Sequence, residues 1–169
     1  VRDLESDDAV TLLEDLEPEE QAEILAELPP VERAAVTRGL TYPEDSAGRL
    51  MQTDFVAVPP FWTVGQVIDH MRESDDLPET FTDIFVIDPS FRVIGTIDLS
   101  RLLRTKRSVL VQQITEADQH TVSATLDQEE LARQFERYDL KSAPVVDANK
   151  RLVGVVTVDD IVEVIEDET

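Results

Sequence analysis

The spacing of apolar positions changes near residue 50. In the first forty residues the apolar positions recur every twelve residues, as Leu4, Leu16, Leu28 and Leu40 illustrate. Proline falls at an equivalent place in successive repeats, at Pro18 and Pro30, and proline suits the first turn of a helix. One such short amphipathic helix cannot bury its apolar stripe alone. The repeat in residues 1–40 therefore predicts short helices that stack as a superhelical solenoid.

Beyond residue 50 a longer unit occurs twice. Residues 86–103 read VIDPSFRVIGTIDLSRLL and residues 145–162 read VVDANKRLVGVVTVDDIV. Asp88 of the first copy and Asp147 of the second occupy equivalent positions, 59 residues apart. A duplicated unit creates two equivalent surfaces with a cleft between them. Such a cleft suits ligand sensing better than catalysis.

Each copy predicts the order strand, helix, strand, strand, helix. The helix of the first copy opens with a capping box of Thr63 and Gln66, and that of the second with Asp127 and Glu130. The predicted strands cover residues 55–58, 84–87 and 93–97 in the first copy, and 120–123, 143–146 and 152–157 in the second. The closing helices are predicted from residue 99 and over 159–167.

The predicted fold class is α+β, with a helical solenoid followed by two β-α-β-β-α units. The expected domains are residues 1–50, comprising the helical domain and a linker, then 51–107 for the first copy and 108–169 for the second. Within the linker, Asp45 or Ser46 is predicted to cap a short helix. The helical pattern is already under way at the first residue, so we expect this domain to be truncated.

The net charge of the chain limits the kinds of molecule that it is expected to bind. The chain carries 37 acidic and 15 basic residues, a net charge of −22. Such a chain repels nucleic-acid phosphates and anionic lipid headgroups, so neither is expected as a direct partner, whereas cations are attracted. Acidic excess with only three lysines also marks adaptation to high salt, and both explanations can hold. No apolar run approaches the ~20 residues that a membrane-spanning helix needs.

The residues do not predict an enzyme. No nucleophile lies beside a base in a recognisable pattern. The chain has no cysteine, and His70 and His120 are isolated in the sequence, so a zinc site is not expected.

Carboxylates at helical spacing are the candidate metal ligands. Mg²⁺ prefers oxygen ligands, keeps several waters and needs only one or two carboxylates per ion. One cluster lies at spacings of three and four on the last helix and contains Asp160, Glu163, Glu166 and Asp167. Another belongs to the preceding helix and contains Asp127, Glu129, Glu136 and Asp139. In so acidic a chain, solvated polar faces explain the same pattern, and this reading stays open at this point.

Two motifs carry a family resemblance. The tandem unit ending in Gly-Val-Val-Thr-Val-Asp-Asp at 154–160 resembles the cystathionine-β-synthase (CBS) domain pair. The stretch Tyr-Pro-Glu-Asp-Ser-Ala-Gly-Arg-Leu-Met at 42–51, after short helical repeats, resembles the cytosolic part of MgtE-type magnesium transporters. Nearly the whole chain takes part in this resemblance.

The resemblance implies an intracellular magnesium sensor. In that family the CBS pairs form a homodimer, and Mg²⁺ occupies acidic interfaces between the N domain, the CBS pair and the partner subunit. Bound ions hold the halves together and keep the pore closed, and loss of the ions lets the carboxylates repel. The implied partner is a transmembrane domain of the same protein, which places this region at the cytoplasmic face of the membrane.

The family's metal positions can be carried over by alignment. They fall on Asp7, Asp127, Glu129, Glu136, Asp139, Asp160, Glu163 and Glu168. Two departures are visible. Thr11 stands where the family often has a second N-domain aspartate, and Glu136 stands where the family can supply only a backbone oxygen.

The resemblance also implies an alternative ligand. In CBS pairs the terminal threonine and aspartate often contact the ribose of an adenosine ligand such as ATP, and Thr157 and Asp160 keep that pattern. The first copy has Asp98 and Arg101 there, and arginine can pair with phosphate instead. The cleft candidates are Thr157, Leu140, Ala143, Pro144 and Arg101. An adenine-nucleotide sensor for another partner, with acidity from salt adaptation, is therefore the alternative function, and a dimerising scaffold is a third.

Overall fold

The computed structural model describes residues 16–27, 30, 33, 40, 42–117 and 120–168. Helix α1 spans Pro18–Glu27, so proline stands at its first position as predicted. The acidic side chains of Glu19 and Glu20 in its first turn favour the positive end of the helix dipole. The other repeats of the predicted solenoid lie outside the described residues. Among the helices described, none is long and apolar enough to cross a membrane.

Two copies of the same five-element unit follow the short helix α2, which spans Ala47–Leu50. The first copy consists of β1 (Val56–Val58), α3 (Val64–Glu73), β2 (Asp83–Ile87), β3 (Val93–Asp98) and α4 (Leu99–Leu103). A 3₁₀ turn at Val111–Gln113 precedes the second copy. The second copy consists of β4 (Val122–Ser123), α5 (Gln128–Tyr138), β5 (Ser142–Val146), β6 (Leu152–Thr157) and α6 (Val158–Glu168). The order of elements confirms the predicted β-α-β-β-α units.

Each copy forms a three-stranded sheet with the same topology. The strand order is β1-β2-β3 in the first sheet and β4-β5-β6 in the second. The first pair in each sheet is parallel and the second pair is antiparallel. The parallel pair is joined through a helix, as a crossover connection requires.

The hairpin turns of the two copies make equivalent hydrogen bonds. Asp88 Oδ1 accepts the N–H groups of Ser90 and Arg92 at 2.8 and 2.9 Å. Asp147 Oδ1 accepts those of Asn149 and Arg151 at 2.9 and 3.0 Å. The third residue after each aspartate is left-handed, with φ of 67° at Phe91 and 66° at Lys150. An aspartate that accepts bonds from its own turn explains both positions structurally.

The segments that precede each copy are exchanged between the two cores. Ala47 and Met51, which precede the first copy, are buried in the core of the second. Val111 and Ile114, which precede the second copy, are buried in the core of the first. Because each core contains a segment that leads into the other copy, the two copies form one packed unit.

Equivalent residues also meet where the copies face each other. Ser142 Oγ donates a hydrogen bond to Asp83 Oδ2, and these two residues are 59 positions apart. Arg92 and Arg151 form an isolated antiparallel bridge. Contacts between equivalent residues place a pseudo-twofold axis between the sheets.

The capping predictions had different outcomes. The Thr63–Gln66 capping box is confirmed, with Gln66 N–H donating to Thr63 Oγ1 at 3.2 Å and Thr63 N–H donating to Gln66 Oε1 at 2.8 Å. Ser46 is the N-cap residue of α2, as one of the two alternatives predicted, but its side chain makes no cap hydrogen bond. Its Oγ is buried without a hydrogen-bond partner. Packing of the linker against the second copy fixes α2 instead.

Candidate functional site

Helix α5 carries predicted metal ligands at both ends. Asp127 is its N-cap, and Oδ2 of this carboxylate accepts the N–H of Glu129 at 3.0 Å. Asp139 is its C-cap in the left-handed conformation, with φ of 52°. Both aspartates are exposed. Each therefore presents carboxylate oxygen to solvent from a fixed backbone position.

The exposed face of α5 between these ends is mixed in charge. Glu129 and Glu136 are seven residues apart and so share one face of the helix. Arg133 lies between them, and its Nε and Nη2 donate to Glu130 Oε2 at 3.0 and 2.8 Å. These hydrogen bonds and the charge of Arg133 lower the pKa of the Glu130 carboxyl. Glu130 thus neutralises the arginine that lies between the two candidate ligands along the helix.

This ion pair corrects the second capping-box prediction. Asp127 does cap α5, but it accepts from Glu129 rather than from Glu130. The Glu130 side chain is held by Arg133. An arginine three residues further along competes for the carboxylate, which the four-residue capping pattern alone does not consider.

The start of α6 is organised around Asp160. Oδ2 of Asp160 accepts the N–H and the Oγ1–H of Thr157, both at 3.1 Å. Glu163, one turn further, is exposed, while Ile161 and Val164 are buried against the second core. Helical spacing predicts Ile161, Val164, Ile165 and Val162 on the side opposite the acidic residues. This is confirmed for Ile161 and Val164, whereas Val162 is exposed. The side chains of Glu166, Asp167 and Glu168 and all of Asp7 lie outside what the structure describes.

The described candidate ligands do not gather into one centre. In residues 16–27, 42–117 and 120–164, no three acidic or histidine side chains are placed to hold a metal ion together. The predicted ligands instead occupy separate positions on α5 and α6. A bound ion would thus need ligands from a second surface, or water, to complete its coordination.

Four of the five residues predicted to line a nucleotide cleft belong to the second copy. Ala143 pairs with Val156, and the neighbouring Ser142 pairs with Thr157, so the start of β5 lies beside the end of β6. Leu140 packs against the same core, and Ala143 and Pro144 are buried. Among these candidates, Thr157 has the hydroxyl group, and it donates to Asp160.

Arg101 belongs to the equivalent position of the first copy. Its Nη1 lies 3.6 Å from Oε1 of Glu116, and both side chains are more than half exposed. Glu116 precedes the second copy and forms an isolated bridge with Thr96. Arg101, which stands where the second copy has Asp160, therefore has an internal acidic partner.

A half-open cleft of about 580 Å³ lies along α5, and no pattern in the sequence indicated it. His120 Nε2 is 2.7 Å from Gln134 Oε1, and its ring lies 4.8 Å from that of Tyr138. The Arg137 guanidinium stands 5.5 Å from the centre of the Tyr138 ring. His120 is isolated in the sequence, and only folding of the strand segment against α5 gives it these neighbours.

Comparison with known proteins agrees with this arrangement. The CBS domain family model matches residues 47–108 and 111–167. The model of the MgtE intracellular N domain matches residues 1–45. The chain belongs to the MgtE family. Both parts of the predicted resemblance, the N domain and the CBS pair, are thereby confirmed.

Two curated MgtE proteins illustrate the relationship. The magnesium transporter MgtE of Bacillus subtilis is 38% identical over 162 residues, which cover 96% of this chain and 36% of that protein. The magnesium transporter MgtE of Thermus thermophilus is 39% identical over 127 residues, which cover 75% of this chain and 28% of that protein. The chain thus spans roughly a third of the length of these relatives.

Solved structures give the same result at the level of the fold. The crystal structure of the soluble part of a magnesium transporter superposes with a TM-score of 0.91 at 32% identity, covering 98% of this chain and 65% of that one. The cytosolic domain of the Mg²⁺ channel MgtE in complex with ATP superposes with a TM-score of 0.89 at 35% identity, covering 96% and 67%. The chain thus matches the cytosolic domain of MgtE proteins, including its CBS pair.

Proposed function

We propose that this MgtE-family chain senses intracellular Mg²⁺ and closes the pore of a magnesium transporter when Mg²⁺ bridges its acidic surfaces. The proposed ligands are Asp7, Asp127, Glu129, Glu136, Asp139, Asp160, Glu163 and Glu168. The observation that carries the proposal is that the candidate ligands on α5, and Glu163 on α6, are exposed and form no ion pair with a described cation. Such groups are available to a cation from outside.

The separation of these carboxylates indicates how the ion would act. Opposed acidic surfaces repel, and Mg²⁺ with its water shell relieves that repulsion with one or two carboxylates from each side. Within the described residues no three acidic or histidine side chains are placed to hold an ion together, and the proposal places ligands from two surfaces around each ion. An ion can shift the equilibrium only by the difference between its affinities for the two arrangements. Mg²⁺ therefore favours the closed arrangement of N domain, CBS pair and partner subunit.

The proposal includes a homodimer formed through the CBS pair. Leu103 on α4 and Val162 on α6 are exposed by 60% and 45%, and they occupy equivalent positions of the two copies. Contact with a second copy would remove both from water. The transmembrane domain, the other partner, would belong to the part of the relatives that this chain does not span. That connection would place the chain at the cytoplasmic face of the membrane, with a regulatory role and no catalytic step.

Magnesium-dependent stability tests the proposal. The melting temperature is compared in chelator, in millimolar MgCl₂ and in KCl of equal ionic strength, because a ligand that binds the folded state stabilises it. We expect a rise that is specific to Mg²⁺. Equal melting temperatures in MgCl₂ and in KCl would contradict magnesium sensing and support a salt-adapted surface.

A charge-matched pair of double variants tests the ligand assignment. Asp160→Asn with Glu163→Gln should raise the Mg²⁺ concentration for half-maximal compaction about tenfold, since each ~1.4 kcal/mol of binding energy is a factor of ten. Small-angle scattering measures the compaction. Glu73→Gln with Glu79→Gln removes equal charge from exposed positions of the first copy and serves as the control. Identical midpoints for both double variants would exclude Asp160 and Glu163 as ligands.

A second candidate function is adenine-nucleotide sensing. The hydroxyl of Thr157, the carboxylate of Asp160 and the buried start of β5 lie at one end of the second sheet. A similar cytosolic domain was solved in complex with ATP. If ATP is a ligand, it should raise the melting temperature without Mg²⁺ being varied, and Thr157→Val should abolish that rise. A response to ATP together with none to Mg²⁺ would favour this function over the first.

A further inference from the structure

Arg133 of helix α5 lies within reach of three carboxylates along the helix. Glu129 is four residues before it, Glu130 is three residues before it and Glu136 is three residues after it. Side chains three or four positions apart on a helix are neighbours. One guanidinium can therefore pair either with Glu130, which is no proposed ligand, or with the proposed ligands Glu129 and Glu136.

The structure has Arg133 paired with Glu130. The Nε and Nη2 atoms of the arginine donate to the same oxygen, Oε2, at 3.0 and 2.8 Å. The side chains of Arg133 and Glu130 are exposed by 68% and 45%, and an ion pair so exposed to water is weak. Exchange of this pair for another pair on the same helix therefore costs little.

Glu129 is a favourable alternative partner for the guanidinium. A glutamate four residues ahead of a cationic side chain stabilises a helix more than the reverse order does. The pKa of the Arg133 guanidinium is raised first by its hydrogen bond to Glu130 and by the charge of Glu130, and further by the charges of Glu129 and Asp127. The acidic start of α5 thus attracts the guanidinium even while Glu130 holds it.

We propose that Arg133 exchanges between Glu130 and the ligands Glu129 and Glu136, so that Glu130 keeps these ligands open to Mg²⁺ and a released guanidinium competes with the ion. The role in sensing rests on the proposed function, which makes Glu129 and Glu136 ligands. Arg133 and Glu130 bind no metal in this scheme. They are positioning residues that set the Mg²⁺ concentration at which α5 becomes occupied.

A double-mutant cycle tests the competition, with the Mg²⁺-dependent shift in melting temperature as the readout. Glu130→Gln removes the acceptor and should raise the Mg²⁺ concentration at half-maximal shift about twofold, a factor that matches the strength of pairs on a helix surface. Arg133→Gln removes the competitor and should lower that concentration by a similar factor. In the Arg133→Gln background, Glu130→Gln should lose most of its effect, because no guanidinium is left to release. An equal effect of Glu130→Gln in both backgrounds would mean that only its charge matters, and would overturn the proposal.

Arg137→Gln is the matched control, because it removes an equal charge from an exposed position of the same helix. Arg137 is eight residues from Glu129 and is the immediate neighbour of Glu136, and adjacent side chains of a helix do not face each other. The midpoint of Arg137→Gln should lie closer to that of the parent than the midpoint of Arg133→Gln does. Equal shifts for the two arginine variants would also overturn the proposal.

The nuclear magnetic resonance signal of the Arg133 Nε–H group separates this inference from magnesium sensing. In chelator, Glu130→Gln should move that signal, and the addition of Glu129→Gln with Glu136→Gln should move it again, towards the position of a solvated arginine. Absence of the second movement would show that a released Arg133 does not reach the proposed ligands, and would overturn the proposal. A second movement in a chain whose melting temperature does not respond to Mg²⁺ would refute the proposed function and support the exchange of Arg133.

Discussion

The two copies share their backbone and differ in the charge of their closing helices. Arg101 of α4 occupies the position of Asp160 in α6, and Arg104 the position of Glu163. Between these charges both copies expose an apolar side chain, Leu103 or Val162. Packing thus constrains the buried positions of the duplicated unit alike, while the charged positions have changed sign. Under the proposed function, this difference assigns cation binding to the second copy.

The largest effects should come from the positions that the copies share. Leu102 and Ile161 are equivalent and are exposed by 0% and 2%. Leu102→Ala and Ile161→Ala should each lower the free energy of unfolding by about 2–5 kcal/mol, because each leaves a cavity. Both variants should unfold in one urea transition, since each core contains a segment that leads into the other copy. Circular dichroism at 222 nm follows this transition, and Val158→Ala, at an exposed position of α6, is the control.

Independent behaviour of the copies would contradict this reading. Two transitions, of which Leu102→Ala shifts one and Ile161→Ala the other, would mean that the exchanged segments do not couple the cores.

The next effect separates two equivalent glycines. A Cβ at Gly95 would collide with the backbone oxygen of Glu116, whereas a Cβ at Gly154 would meet Met51 Sδ at 2.5 Å and, less tightly, the backbone oxygen of Gln52 at 2.8 Å. A thioether can move aside more readily than a backbone carbonyl. We expect Gly95→Ala and Gly154→Ala to destabilise by about 1–3 kcal/mol each, with the larger loss at Gly95. Thermal unfolding of both variants ranks them, and a larger loss at Gly154 would reverse the argument.

A smaller effect concerns the starts of the two closing helices. Asp160 accepts the N–H and hydroxyl of Thr157 ahead of α6, whereas Asp98 makes no side-chain cap bond at α4. Asp160→Ala should cost about 1 kcal/mol of stability, a typical value for a lost cap. Arg101→Ala, which removes only an exposed pair with Glu116, should cost no more than about 0.5 kcal/mol. Urea denaturation of both variants measures the difference. Equal losses would show that the Asp160 bonds add nothing to stability.

Local patterns predicted the fold well because they depend on neighbours in sequence. The Thr63–Gln66 box and the strand predicted over 152–157 each involve residues at most five positions apart, and the structure has both. Ser46 is the N-cap residue of α2 but makes no side-chain cap bond, because packing against the second copy, far along the chain, decides that segment. The exchange of segments between cores has no local signal at all.

The candidate site shows the same difference between features set by local spacing and features set by distant contacts. Helical spacing placed Glu163 on the exposed side of α6 and Ile161 on the buried side, as the structure has them. The pairing of Glu130 with Arg133 was missed, because a capping pattern and an ion pair use the same carboxylate. The choice of ligands for one ion depends on surfaces of different parts of the assembly. No spacing within one helix encodes that choice, so the ligand set stays a prediction.

The smallest expected effect distinguishes the two hairpin aspartates. Each accepts two backbone N–H groups, but Asp147 Oδ2 also lies 3.2 Å from Arg151 Nε. Burial raises the pKa of Asp147, yet the N–H groups of Arg151 and Asn149 and the Arg151 charge outweigh this and lower it below its ordinary value. Asp147→Asn should therefore cost more stability than Asp88→Asn, by about 0.2–1 kcal/mol, as exposed ion pairs do.

The pH dependence of this difference follows from the lowered pKa. A carboxyl whose pKa is lower in the folded state stabilises that state fully above its unfolded pKa, near 3.8 for Asp147, and loses this contribution as pH falls through the folded value. The gap between parent and Asp147→Asn should thus be full at pH 7 and shrink below pH 3.8, as thermal unfolding at both pH values would measure. Asn keeps an oxygen for the two N–H bonds, so only the charge is tested. A gap that persists unchanged in acid would mean that the Arg151 contact does not depend on ionisation of Asp147.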